Sequence, residues 1–195
     1  KDIAAEVALL FIKEGRTDDA LTLLDDVEQD GRDFGQEAWN HSYLATLEAL
    51  GRTKDAQAHR WSCFIKTLDQ LHLRTYIKGL PDFEDVEAEE KARAHVLGYP
   101  NFSTALSFFL EWHDLLSAAQ LIENRSDEID GNRYDILTPA AEALRERHPL
   151  PAVLLWRAMI DYALGEGRSS RYGHAADHLM DCSSLEDAIQ DYGTF

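Results

Sequence analysis

The sequence predicts an all-α protein built of stacked antiparallel helical hairpins, and three observations support that prediction. Apolar residues recur at helical spacing along nearly the whole chain, beginning with Ile3, Val7, Leu10 and Phe11. β-Branched residues are scattered, and no stretch alternates cleanly enough to read as a strand. The hexapeptide Gly15-Arg16-Thr17-Asp18-Asp19-Ala20 returns as Gly51-Arg52-Thr53-Lys54-Asp55-Ala56, 36 residues later, each copy lying between two helical stretches of similar length. In such a segment glycine accepts the left-handed backbone that ends one helix. Threonine can cap the next helix, and alanine lets the two helices approach closely.

Taken in order, residues 3–14 form an amphipathic helix that Gly15 ends. Thr17 starts a second, running through Leu21, Leu24 and Val27. Gly31 to Gly35 is a loop. A third helix covers about Gln36 to Leu50, and a fourth follows Thr53 through Ala56, Arg60, Cys63 and Phe64. Leu71–Gly79 is a short helix, and Pro81-Asp82 opens a strongly acidic one to Leu97. Pro100–Ser103 starts a helix with Leu106, Phe108, Phe109 and Trp112 on it. Asp114–Asn124 is its hairpin partner, with Ala118-Ala119 at the expected close contact. Asp130-Gly131-Asn132 is a loop. Thr138-Pro139 reads as a helix start, with a capping Thr before a Pro at the first helical position. His148-Pro149-Leu150-Pro151 ends that helix and opens the next, through Val153, Leu154, Trp156, Met159 and Ile160. Gly165-Glu166-Gly167 closes it. Ser169 or Ser170 caps a helix to Asp181 or Cys182, and Ser183 with Glu186 forms a capping box for a last one. The total is about 11–12 helices, nearly all in antiparallel pairs.

Composition narrows the class of protein. The 195 residues hold 19 Lys+Arg against 36 Asp+Glu, a formal net charge of -17. A chain of this length buries about 70% of its unfolded surface. The charge argues against nucleic-acid binding, which needs clustered cations, and against an anionic membrane surface. No apolar run is long enough to span a bilayer. The chain lacks a signal-peptide layout and an initiator Met, which suggests a trimmed or partial sequence. Two cysteines, Cys63 and Cys182, make no disulfide framework and point to a reducing cytoplasm.

The Gly-x-x-x-x-Ala turn and the repeat length resemble tetratricopeptide-type repeats. The consensus Trp, Gly, Tyr and Pro are not cleanly present. The resemblance implies a TPR-like alpha-alpha superhelix, with residues 1–68 a degenerate helical hairpin pair and 69–195 an irregular helical-repeat continuation of one continuous domain. Some TPR grooves hold a carboxylate with Lys, Arg and Asn. The corresponding positions here are Ala5, Glu6, Leu9 and Ile12, then Ala38, His41, Ser42 and Ala45. They offer no such clamp, so a groove here suits an apolar or basic peptide. The stretch from His148-Pro149 through Leu154-Leu155-Trp156 to His174-Ala175-Ala176-Asp177-His178-Leu179 is similar to an uncharacterised bacterial helical-repeat family. That family has similarity to regions accompanying SWIM-type zinc-finger proteins. The similarity implies a fold and a bacterial origin; it implies no activity, and the SWIM-type Cys/His cluster is absent.

Three groups of residues are candidates for chemistry. His174, His178 and Cys182 fall at i, i+4, i+8 on one helix, where two imidazoles could bridge a zinc ion. The alternative is two surface or interhelix histidines and a packed cysteine, because Tyr172, Ala175, Ala176 and Leu179 define the expected core face. Arg168, Ser169, Ser170 and Arg171 sit at a helix start and could hold an anion, or else cap the helix and pair with the chain's own carboxylates. Asp82, Glu84, Asp85, Glu87, Glu89 and Glu90 place six acids in nine positions. They lack the spacing of a calcium loop and read as a solvated face. No nucleophile elbow, phosphate loop, dinucleotide loop or Cys-x-x-Cys is present. Trp39, Trp61, Trp112 and Trp156 read as core or hairpin contacts.

The expected function is therefore a non-enzymatic helical-repeat module that binds a basic or apolar protein or peptide. No cofactor is expected beyond the possible zinc. The alternative is a metal- or anion-binding function centred on the helix Ser169–Cys182. A third reading is an acidic surface that mimics nucleic acid and occupies a DNA-binding protein.

Overall fold

In the computed structural model the described residues are 1–28, 35–190 and 192, so residues 31–34 of the expected Gly31–Gly35 loop lie outside them. The described residues hold eleven α-helices and no strand: α1 (Asp2–Lys13), α2 (Thr17–Glu28), α3 (Gln36–Ala49), α4 (Thr53–Thr67), α5 (Gln70–Lys78), α6 (Glu84–Leu97), α7 (Phe102–Trp112), α8 (Leu115–Asn124), α9 (Tyr134–Leu144), α10 (Pro149–Gly165) and α11 (Tyr172–Ser184). They divide between two compact units, Lys1–Glu89 and Glu90–Phe195. The sequence boundary near 68 falls at the turn between α4 and α5, inside the first unit. No helix among the described residues is long and apolar enough to cross a membrane.

In the first unit α1 packs on α2 and α3, α2 on α3, α3 on α4, and α4 on α5. The twin hexapeptides build the same turn. Gly15 and Gly51 sit at φ 76° and 69°. Their N–H groups donate to Ile12 and Glu48 at 3.0 Å, and the next N–H groups, of Arg16 and Arg52, reach back to Phe11 and Leu47 at 2.8 and 2.9 Å. This double closure satisfies carbonyls that a helix end leaves open. Ala20 and Ala56 then lie wholly buried at the close approach of the paired helices. The caps differ from expectation. The carbonyls of Arg16 and Arg52 take the first helical bonds from Ala20 and Ala56, so Thr17 and Thr53 stand inside their helices. The Arg side chains bond Asp19 and Asp55, each at 2.7 Å.

Two further copies of this turn exist, one at the Gly165–Gly167 helix end read from the sequence and one at His113 that the sequence did not signal. His113 takes φ 63°, Gly167 φ 60°. Asp114 donates back to Phe109 and Arg168 to Ala163, both at 2.9 Å. At the third turn Ala118 is fully buried, in the place of Ala20 and Ala56. At His113 the signal was hidden because His113-Asp114-Leu115 shares no residue with Gly-Arg-Thr, whereas Gly167-Arg168 repeats its first two residues.

The first core joins Ala8, Ala20, Leu24 and Trp39, with Phe11, Ile12 and Tyr43 against them. Trp39 donates its indole N–H to the Leu24 carbonyl at 3.0 Å, and Ser42 donates to Ala5 O at 3.0 Å. These two bonds fix α3 against both helices of the first hairpin.

In the second unit α7 packs on α8 and α9, α10 packs on α8, α9 and α11, and Leu106, Phe109, Ile122, Leu137, Leu155 and Trp156 are buried. Arg125 ties down the entry to α7. Its guanidinium donates to the carbonyls of Leu97 and Tyr99 at 3.2 and 2.9 Å and forks onto Glu128 at 2.8 and 2.6 Å. Two boundaries depart from expectation. The helix assigned to Thr138-Pro139 begins at Tyr134 and holds Pro139 inside it. An internal proline costs about 3 kcal/mol. Burying Leu137 returns about 1.5–3 kcal/mol. The Tyr134 hydroxyl, donating to Met159 O at 2.9 Å, adds about 1 kcal/mol. The expected last helix is only a 3-10 turn, Glu186–Ala188, because α11 runs on through Ser183 to Ser184. Burial of Ile189 anchors the chain just beyond that turn.

Gly131 marks the tightest helix–loop contact. A Cβ there would lie 2.1 Å from the Ala158 carbonyl oxygen, whereas one on Gly15 would meet nothing. Gly131→Ala should cost about 1–3 kcal/mol or more, since backbone must move. Gly15→Ala should cost about 1 kcal/mol, from its left-handed φ alone. Urea denaturation followed by circular dichroism checks the order; a milder effect at Gly131 would contradict this packing.

Candidate functional site

The odd-numbered helices of the first unit present a common face. On α1 the positions Asp2, Ala5, Glu6 and Leu9 follow i, i+3, i+4, i+7, and on α3 Ala38, His41, Ser42 and Ala45 repeat that spacing 36 residues later. Such spacing puts each set on one side of its helix. Between α1 and α3 lies an open cavity of about 730 Å³, with Ala5, Glu6, Leu9, Ala38 and His41 among its walls. Beside it a second cavity of about 270 Å³ is walled by α3 and α5, with Leu44, Ala45, Leu71 and His72. Glu37 and His41 belong to both.

The two cavities adjoin at Glu37 and His41 and leave one indented face along α1, α3 and α5. Its floor is small or apolar: alanines, half-buried Leu9 and Leu44, and Leu71, which is 70% exposed. Its walls carry carboxylates. Arg60 also faces it, buried and held by Glu48 and by Gln57 Oε1, the latter at 2.8 Å. Ser42 is committed to the Ala5 carbonyl. Of the positions expected to face a groove, Ile12 does not: it packs on the core of Ala8, Ala20, Leu24 and Trp39.

The residues read as metal or anion candidates take different places. Arg168, Ser169 and Ser170 are exposed. The two serines cap no helix, since Ser169–Arg171 is a 3-10 turn and α11 starts at Tyr172 without a side-chain cap. Arg171 lies over the Tyr134 and Tyr162 rings, 4.4 and 5.5 Å from their centroids, and donates to Asn132 at 2.9 Å. On α11 the core face consists of Ala175, His178 and Cys182, while Tyr172, Ala176 and Leu179 face outward and His174 is exposed. Ala175 and the packed Cys182 lie where the sequence put them, while His178 takes the buried place expected for Tyr172, Ala176 and Leu179. Among the described residues no group of three His, Cys, Asp or Glu is placed to hold a metal ion. The acidic run of α6 is exposed, as a solvated face requires.

His178 is the unusual member of this helix. It is 8% exposed, and neither ring nitrogen has a hydrogen-bond partner, nor has the indole nitrogen of Trp156 beside it. The imidazole stacks on Trp156 with centroids 6.5 Å apart and lies 6.3 Å from the Tyr134 ring. Burial pushes its pKa below the ordinary value, with His174 adding to that and Asp181, Asp177 and Glu142 opposing it. Burial also pushes the Cys182 thiol up to about 11, so it stays protonated at neutral pH.

The fold and this face define a protein of helical hairpins with an open, acid-walled groove on alternate helices. The chain belongs to the family of unknown function DUF6880, whose profile matches residues 1–195. No curated protein and no solved structure matches it.

The depressed His178 pKa gives a signed expectation. In the unfolded chain the imidazole protonates at its ordinary value of 6.5; in the fold it does so only at lower pH. Above that ordinary value both states are neutral and stability is full. As pH falls through it, the unfolded state takes the proton first and stability drops. Urea midpoints should therefore decline from pH 7.5 toward pH 5.5, and His178→Phe should flatten that decline. An unchanged slope in the variant would contradict the burial of a neutral imidazole.

Proposed function

We propose that this chain is a non-enzymatic, TPR-like helical module of the cytoplasm that binds a segment of a protein partner along the α1–α3–α5 face. The observation behind this reading is the adjacency of the two cavities, which share Glu37 and His41. A groove that crosses three helices suits a chain segment better than a small compact ligand, which calls for enclosure. Alternate helices of stacked hairpins supply such surfaces in helical solenoids. The twin turns at Gly15 and Gly51, alike in φ and in their hydrogen bonds, support the likeness to TPR-type hairpins. The similarity to regions accompanying SWIM-type proteins adds a bacterial setting to this reading and no further site.

The test is selection of displayed random peptides on the full chain, followed by rebinding to two variants. Ala38 is exposed and walls the larger cavity; Ala143 is exposed on α9, in the other unit. Enriched peptides should lose most of their binding to Ala38→Trp and keep it on Ala143→Trp. Enrichment that Ala38→Trp leaves intact would overturn the groove as the binding face.

A further inference from the structure

The walls of the groove bear on what it accepts. Asp2, Glu6, Glu37, Glu48 and Asp69 are carboxylates, and the guanidinium among them, Arg60, already belongs to Glu48. Lys1, beside the groove, donates to Gln36 at 2.6 Å and lies over the Trp39 ring, 5.9 Å from its centroid. The floor between the acids is apolar, with Leu9, Leu44 and the outward Leu71. Like charges held around a concave surface focus the field inside it, above that of a flat face with the same charge. The acids stand along both cavities, with Asp2 and Glu6 on α1, Glu37 and Glu48 on α3, and Asp69 just before α5.

We infer that the segment bound on this face is a basic, Lys- or Arg-rich peptide with interspersed aliphatic residues, its apolar side chains on the leucines and its cations on the wall carboxylates. This rests on the groove reading proposed above and adds the chemistry of the partner. A segment that crosses from one cavity to the other meets carboxylates of both, with Glu37 common to the two. An acidic or C-terminal carboxylate ligand would face uncompensated repulsion here.

The probe is a short fluorescent peptide of alternating Leu and Lys, with a counterpart carrying Gln in place of Lys, titrated into the full chain by anisotropy. The whole protein is acidic, so the control must separate the groove from the general field. Glu6→Gln with Glu37→Gln removes two wall charges; Glu87→Gln with Glu90→Gln removes two from the exposed run of α6, and all four side chains are exposed. The Lys peptide should bind at least about tenfold tighter than the Gln peptide. It should weaken by about fivefold on the wall pair, two exposed charge contacts being lost, and hold its affinity on the α6 pair. Circular dichroism confirms that each variant is folded. Equal weakening by the α6 pair, or equal binding of the Gln peptide that Ala38→Trp still abolishes, would overturn the basic-peptide inference and leave the groove reading standing. Binding of both peptides undisturbed by Ala38→Trp would bring down the groove reading itself.

Discussion

Two antiparallel helices can share a buried stripe only if the chain between them reverses tightly and leaves no backbone group orphaned. At Gly15 and Gly51 both conditions are met within a few residues. The left-handed glycine turns the chain, two N–H groups close on the helix just ended, and the next residue's carbonyl opens the helix that follows. Ala20 and Ala56, fully buried, let the second helix lie against the first without a side chain between them. A larger residue there would push the hairpin apart and shift every contact farther along. His113 shows that the turn can form without glycine. There Asp114, capping α8 through the Ser117 N–H at 3.0 Å and bonded by Arg93 at 3.0 Å, contributes what the backbone preference withholds.

The groove follows from that geometry. Each reversal returns the chain, so α1, α3 and α5 come to line one face while α2 and α4 pack as their hairpin partners. Trp39 and Ser42 hold α3 in register by bonding to α2 and α1. Their polar atoms are spent inward, and this leaves Glu37, Ala38, His41 and Ala45 to the open side. A site of this kind needs no strained side chain and no perturbed titration. Its character comes from shape and from carboxylates gathered around an apolar floor.

The last helices of the second unit follow a different economy. α11 buries alanine, histidine and cysteine and turns Leu179 and Met180, 58% and 65% exposed, to the outside. An inward imidazole without partners is costly when charged and tolerable when neutral. That explains why it sits between aromatic rings, and why burial dominates its titration.

The sequence by itself determined the helices, the twin turns and the stripe on α1 and α3, because these depend on spacing within a few residues and on the special freedom of glycine. Ala38, His41 and Ala45 were expected at an open face from the resemblance to TPR-type repeats, and they line the two cavities. What faces each helix was decided by tertiary structure. Pro139 stays inside α9 because Leu137 and Tyr134 find partners on neighbouring helices, and Ser183 remains helical although it could have capped. The buried side of α11 went to His178 over Leu179, since Trp156 and Tyr134 offered flat rings that an imidazole fits. Local chemistry sets where a helix can begin and turn; only the packing of distant side chains chooses the face it hides.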